Sequence, residues 1–245
     1  PKPEDADRTK HIEKKGRQNY AGLIVALDDN VGKILKSIKD NGIEKNTIVI
    51  FTNDNGGQTA TGADNTPLRG KKGSLWEGGT RVPWAMRWPG KIKAGSVIND
   101  PIISLDILPT FVEASGNKVD DSWNLDGRSF LPLITGAEKS QPTRVLHWRQ
   151  HGSKGSIALR EGKWKLIHNR SEAGAQPELY DLSNDISETK NLASQQPEVV
   201  AGLLVKMKAW EKQLKEPLWG QGSPGREAKK PKKEKKNDKK KQPAK

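Results

Sequence analysis

Tyr20, Leu23, Ile24, Leu27, Val31, Ile34, Leu35 and Ile38 recur at steps of three and four, which places them on one face of an amphipathic helix. Asn41-Gly42 follows, the residues that stop a helix in a left-handed turn. Then comes Thr47-Ile48-Val49-Ile50-Phe51-Thr52, β-branched and without alternation. Such a run reads as a strand buried on both faces, of the kind found in parallel sheets. Helix and then doubly buried strand is half of a doubly wound α/β unit. This pair constrains the fold more than any other stretch.

Further along, Val82–Trp88 reads as a second strand, cut by Pro89-Gly90. Ser104 is placed to cap a helix from Leu105 to Ala114, with Asp106 in its first turn and Gly116 after its end. The character changes after about residue 140. Val145–Arg149, Ser156–Arg160, Trp164–His168 and Glu178–Leu182 are short strand-like runs, and IALREGKWKLIH reads as a hairpin with a Gly-containing turn. Pro197 opens a helix carrying Val200, Leu203, Leu204, Met207 and Trp210. The expected organisation is an α/β domain over 1–140, a small antiparallel sheet with a closing helix over 141–220, and a Lys-rich tail over 221–245.

The 245 residues carry a net charge of +13, but residues 229–245 alone hold ten Lys against Glu234 and Asp238. The remaining 228 residues have 33 basic and 28 acidic side chains. The body is thus only mildly basic, and no specific nucleic-acid partner is expected. The tail has no apolar residue able to offset the entropy of ordering it, so disorder is expected there. No Cys is present, which excludes disulfides, zinc-thiolate sites and a cysteine nucleophile in this chain. No apolar run reaches the length of a transmembrane helix.

Ligands of open α/β sheets gather at the carboxyl ends of strands, and Asn53-Asp54-Asn55-Gly56-Gly57 follows the first strand directly. Asp54 and Asn55 offer the hard oxygens that Ca²⁺ or Mg²⁺ takes. Asp54-Asn55-Gly56-Gly57 is also ordinary turn chemistry, and spacing alone does not separate the two. Leu68–Pro83 (LRGKKGSLWEGGTRVP) suits a loop that brings cations to an anion, and suits equally a solvated basic loop. Adjacent Asp28 and Asp29 stand about 100° apart on the first helix and suit surface packing better than a shared metal. His11, His147, His151 and His168 lack ligand-like partners, and Asn169-Arg170-Ser171 is a glycosylation sequon.

Taken in order, YAGLIVALDDNVGKIL, IVIFTNDNGG, LRGKKGSLWEGGTRVPWAMRWPGKI, SLDILPTFVEASG, LDGRSFLPLITG, ALREGKWKLI and ELYDLSNDISETKNLA resemble the C-terminal part of a type I sulfatase, of the alkaline phosphatase-like superfamily. The resemblance runs to about residue 216 and leaves the tail out. It implies that Asp54 and Asn55 ligate a divalent metal, Ca²⁺ rather than Mg²⁺, and that Lys72 holds the sulfate. Glu77, Gly78 and Gly79 would keep that loop in shape. It implies hydrolysis of a sulfate monoester, on a sulfated small molecule or polysaccharide, in the periplasm or outside the cell.

The family's nucleophile is a formylglycine made in a C/S-x-P-S/T-R motif of its N-terminal half, together with a further Asp pair on the metal. Ser140-Gln141-Pro142-Thr143-Arg144 matches those letters but lies beyond the metal motif and before the smaller sheet, so it is read as coincidence. No catalytic nucleophile is therefore assigned within this chain. The expectation is a C-terminal fragment whose N-terminal half is its partner. A phosphonate or phosphate ester hydrolase of the same superfamily is the alternative, and a non-catalytic piece binding polyanions through its Lys tail is another.

Overall fold

A computed structural model describes residues 1–218, so the expectation for the Lys-rich tail falls outside the described residues. The chain opens with α1 (Pro3–Arg8) and α2 (Lys15–Asp40). α2 ends as its sequence dictates. Gly42 takes φ +69°, its N–H donates to the Lys39 carbonyl, and the Ile43 N–H reaches back to the Ile38 carbonyl. That is the six-to-one and five-to-two pairing of a Schellman stop, and Asn41 reinforces it by donating Nδ2 to Ser37 O at 2.8 Å.

β1 (Val49–Thr52) pairs antiparallel with β2 (Trp84–Arg87), in the register Val49↔Arg87 to Thr52↔Trp84. The expectation of a doubly buried strand in a parallel neighbourhood is not met within these residues. Phe51 is 39% exposed, and the α2 residues Leu23 and Ile34 are each 56% exposed. A parallel partner needs a crossover of a dozen or more residues that returns in the same direction. Here the chain from 53 to 83 returns in the opposite one, and β1 has no partner on its other edge among the described residues.

After β2 come α4 (Ile107–Ala114) and α5 (Leu131–Thr135), α3 being the short turn Glu77–Thr80 described below. Ser104 was expected to cap α4. The helix is instead entered through a 3₁₀ turn at Ser104–Asp106, and Asp106 does the work. Its carboxylate is buried, accepts the N–H of Ile103 and of Arg128, and forms a two-pronged pair with Arg144. Burial raises its pKa, but the Arg144 bond and the backbone donors outweigh that and hold it below the usual carboxylate range. The stability it provides is present above the ordinary Asp value and is lost as pH falls through the depressed one. Asp106→Asn should therefore flatten the acid limb of a pH–stability curve measured by thermal melting.

The second sheet is antiparallel, in the order β3 (Val145–Arg149), β4 (Ile157–Glu161), β5 (Trp164–His168), β6 (Glu178–Asp181). Residues of alternate parity face opposite ways and both faces are covered. Ile157, Leu159, Leu166 and Leu179 pack under Leu203 and Met207 of α6 (Pro197–Glu211). Ala158, Ile167, Tyr180 and Leu182 pack against Leu75. Leu75 belongs to the loop between β1 and β2, so the second sheet's far face is built onto that loop.

Candidate functional site

The candidate site is two loops locked backbone to backbone. The Gly56 N–H donates to Gly79 O at 3.0 Å, and the Lys72 N–H donates to Gly57 O at 3.1 Å. No side chain fits between them. A Cβ on Gly56 would stand 1.8 Å from Gly78 O, and one on Gly79 would stand 2.2 Å from Ser74 O. The glycines of Asn-Gly-Gly and Glu-Gly-Gly are thus needed for close approach. Through them the loop after β1, which carries Asp54 and Asn55, joins the loop that carries Lys72. Asp54 and Lys72 are exposed and Asn55 is half-buried.

Asn65 completes the lock. Its Oδ1 accepts the Gly57 N–H at 2.9 Å, while its Nδ2 donates to Gly57 O at 2.9 Å and to Gly70 O at 3.1 Å. Nothing around Asn65 in the sequence marks it, because both partners lie on other turns of the loop.

The donor set suits a hard cation but is partial. Asn55 Nδ2 donates to Gly56 O at 3.0 Å, which leaves Oδ1 as the acceptor available beside the Asp54 carboxylate. Two oxygen ligands fall short of the six to eight that Ca²⁺ gathers. Among the described residues no group of three or more His, Asp or Glu converges as a metal site. A cleft of about 1330 Å³ opens at Asp54 and runs past Arg81 and Trp84 to Trp148 and Arg160.

The Lys72 loop is held from the far side by the second sheet. Lys165 Nζ, fully buried, donates to Glu77 Oε1 at 2.7 Å and stands 3.0 Å from Glu188 Oε1. The Glu77 N–H donates to Glu188 Oε2 at 2.6 Å. Arg69 lies 4.4 Å over the Trp76 ring and donates to Tyr180 Oη at 2.9 Å and to Glu188 O at 3.0 Å. Burial, and then the Glu178 carboxylate, push the Tyr180 phenol up to about 12, so it stays a hydroxyl. Burial likewise pushes the Glu188 carboxyl above the ordinary value.

The remaining residues singled out from the sequence stand apart from this site. Ser140–Arg144 is a structural strap: the Gln141 N–H bonds Asp100 Oδ1, Pro142 O accepts from Arg128, and Arg144 pairs with Asp106. Asp29 pairs with Arg8 and so ties α2 to α1. His147 stacks on Trp210 with ring centroids 4.6 Å apart, and His168 Nε2 lies 3.2 Å from Ala175 O.

An α/β platform with a Gly-locked Asp-Asn loop, followed by a small sheet and closing helix, is an arrangement of the alkaline phosphatase-like class. The chain belongs to the sulfatase family. The Sulfatase family model matches residues 2–117, and the model for the C-terminal region of N-sulphoglucosamine sulphohydrolase matches residues 71–215. Human arylsulfatase D is 32% identical over 215 residues, covering 71% of this chain and 35% of that protein. The solved structure of Ps i-CgsB with k-i-k-neocarrahexaose superimposes with a TM-score of 0.83 at 32% identity, over 89% of this chain and 48% of that one. A structure holding its substrate D-glucosamine-2-N,6-O-disulfate matches with a TM-score of 0.62 at 25% identity, over 80% of this chain and 40% of that one. The chain thus spans less than half the length of each of these relatives.

Proposed function

We propose that the protein carrying this chain hydrolyses sulfate monoesters, and that this chain forms the cation-and-anion side of the active site. The observation that carries the reading is the pair of backbone bridges, Gly56 to Gly79 and Lys72 to Gly57, which makes one site of the Asp54–Asn55 loop and the Lys72 loop. Asp54 and Asn55 would hold a divalent cation, Ca²⁺ in preference to Mg²⁺, since an exposed loop offers no rigid octahedral cage. When bound, that cation supplies Lewis-acid charge to sulfate oxygens. Lys72 binds and orients the sulfate and neutralises charge that grows on its oxygens as the alcohol departs.

The nucleophile, a formylglycine made from Cys or Ser, would stand on the part of the enzyme this chain does not supply. Its coverage of 35% of arylsulfatase D supports that division, and Ser140–Arg144 is occupied as a strap. A sulfated saccharide is the favoured substrate class, because the neighbouring structures hold a neocarrahexaose and a disulfated glucosamine. Export to the periplasm or beyond the cell belongs to the same reading.

Turnover of phenyl sulfate against phenyl phosphate and phenylphosphonate esters by the complete protein tests this. Faster hydrolysis of the sulfate is expected, and preference for phosphate or phosphonate would overturn it. In the same assay Lys72→Ala should lower sulfate-ester turnover roughly hundredfold. The melting temperature should hold, because the Lys72 side chain is exposed. Unchanged turnover removes Lys72 from the site.

A further inference from the structure

Glu188 touches both ends of the loop that carries Lys72. Its backbone carbonyl accepts from Arg69 at 3.0 Å, and its carboxylate accepts the Glu77 N–H at 2.6 Å. Between those two points lie Lys71, Lys72 and Gly73, the last also gripped through its carbonyl by Gln150 Nε2 at 3.0 Å. Reaching both ends from one residue sets a demand on the Glu188 backbone. It sits at φ +51°, a region rarely taken by residues other than glycine. Such strain persists where the surroundings over-determine it, and it clusters at functional sites.

Glu188 is fully buried, as is Lys165, whose ammonium balances it and Glu77 together. None of the three reaches the exposed face where Lys72 stands. They therefore act on an anion only through the loop. On the sulfatase reading above, which this inference deepens, an error of about 1 Å in the height of Lys72 is enough to lower turnover.

We infer that Glu188 is a positioning residue for the sulfate-binding Lys72: it clasps the two ends of the anion loop and fixes the span across which Lys72 is presented, with Lys165 holding the clasp shut. The clasp belongs to the second sheet's side of the molecule, so specificity for the sulfate group is set partly by a segment more than a hundred residues away in the chain.

The test is a double-mutant cycle in the complete protein. Glu188→Ala should lower kcat/KM for phenyl sulfate roughly tenfold to hundredfold. Glu188→Gln, which keeps an oxygen for the Glu77 N–H, should recover most of it. In a Lys72→Ala background, Glu188→Ala should make a further difference of less than about twofold, because the two act as one unit. An undiminished second loss, or no loss in the single variant, overturns the inference. Should Glu188→Ala not fold, Arg69→Gln cuts the same clasp at its outer end and must show the same coupling to Lys72. If the unsubstituted protein hydrolyses no sulfate ester, the functional reading fails by itself. Amide exchange then decides the clasp: Glu188→Ala should speed exchange of the Lys72 and Gly78 N–H groups while leaving β4 and β5 protected. Unaltered exchange at Lys72 and Gly78 would refute it.

Discussion

Gly56→Ala should destabilise the protein by about 3 kcal/mol and remove most of its sulfate-ester turnover, the larger share of the loss falling on activity. The new methyl carbon would stand 1.8 Å from Gly78 O, 2.7 Å from its carbonyl carbon and 2.9 Å from Gly79 Cα. All three are backbone atoms, so no rotamer change relieves the clash. One of the two loops must move, and the bridges from Gly56 to Gly79 and from Lys72 to Gly57 open with it. Urea unfolding reads the first effect and phenyl sulfate hydrolysis the second. Retention of both at wild-type levels would mean that the loops do not need to touch.

Lys165→Met should destabilise by about 3–5 kcal/mol, because it removes the buried cation between Glu77 and Glu188 and leaves Glu77 only Arg81 Nη1 at 3.7 Å. Lys165 Nζ lies 2.7 Å from Glu77 Oε1 and 3.0 Å from Glu188 Oε1, with all three side chains almost wholly out of solvent. The loss should depend on pH in a stated direction. The Glu188 pKa is already raised in the folded protein, so the folded state holds its proton at pH values where the unfolded chain has released it. Stability from such a group is present below the unfolded value and is lost as pH rises through the folded one. Without the ammonium the folded value rises further. Lys165→Met should consequently lose least at pH 5 and most at pH 8 when melting temperatures are compared with the parent protein. A loss that does not vary with pH would indicate that the carboxylates are not left facing each other.

What the sequence made legible was local. The 3.6-residue period of α2, its Asn41-Gly42 stop, the Gly162 hairpin between β4 and β5, and the Pro197 start of α6 all involve partners within a few residues. The Asp54-Asn55-Gly56-Gly57 loop was visible as a candidate from its place after a strand and from the family resemblance, and the reason for its glycines was not visible. That reason is the carbonyl of Gly78 on another loop. Lys165 reads in WKLIH as a charge on a strand, with nothing nearby to say that it is sealed inside against Glu77. Glu188 carries no local mark of its left-handed backbone, and Asn65 none of its three bonds across the lock. β1 misled for a related reason. Its apolar run reports the environment the strand is built for, whereas pairing direction depends on where the chain returns.

The order in which the chain can acquire its structure follows from the Lys72 loop's attachments. Glu77 meets Lys165 across 88 positions and Glu188 across 111, and Arg69 meets Glu188 across 119. Contacts that span so much chain form late, since their loop-closure entropy must be met before they contribute. On a ribosome, the loop bearing Lys72 emerges long before the residue that clasps it. During that interval the Lys72 loop has only its local bridges to Gly57, Gly79 and Asn65, and a chain stopped short of residue 188 would keep Asp54, Asn55 and Lys72 while lacking the contacts that close the loop from its far side.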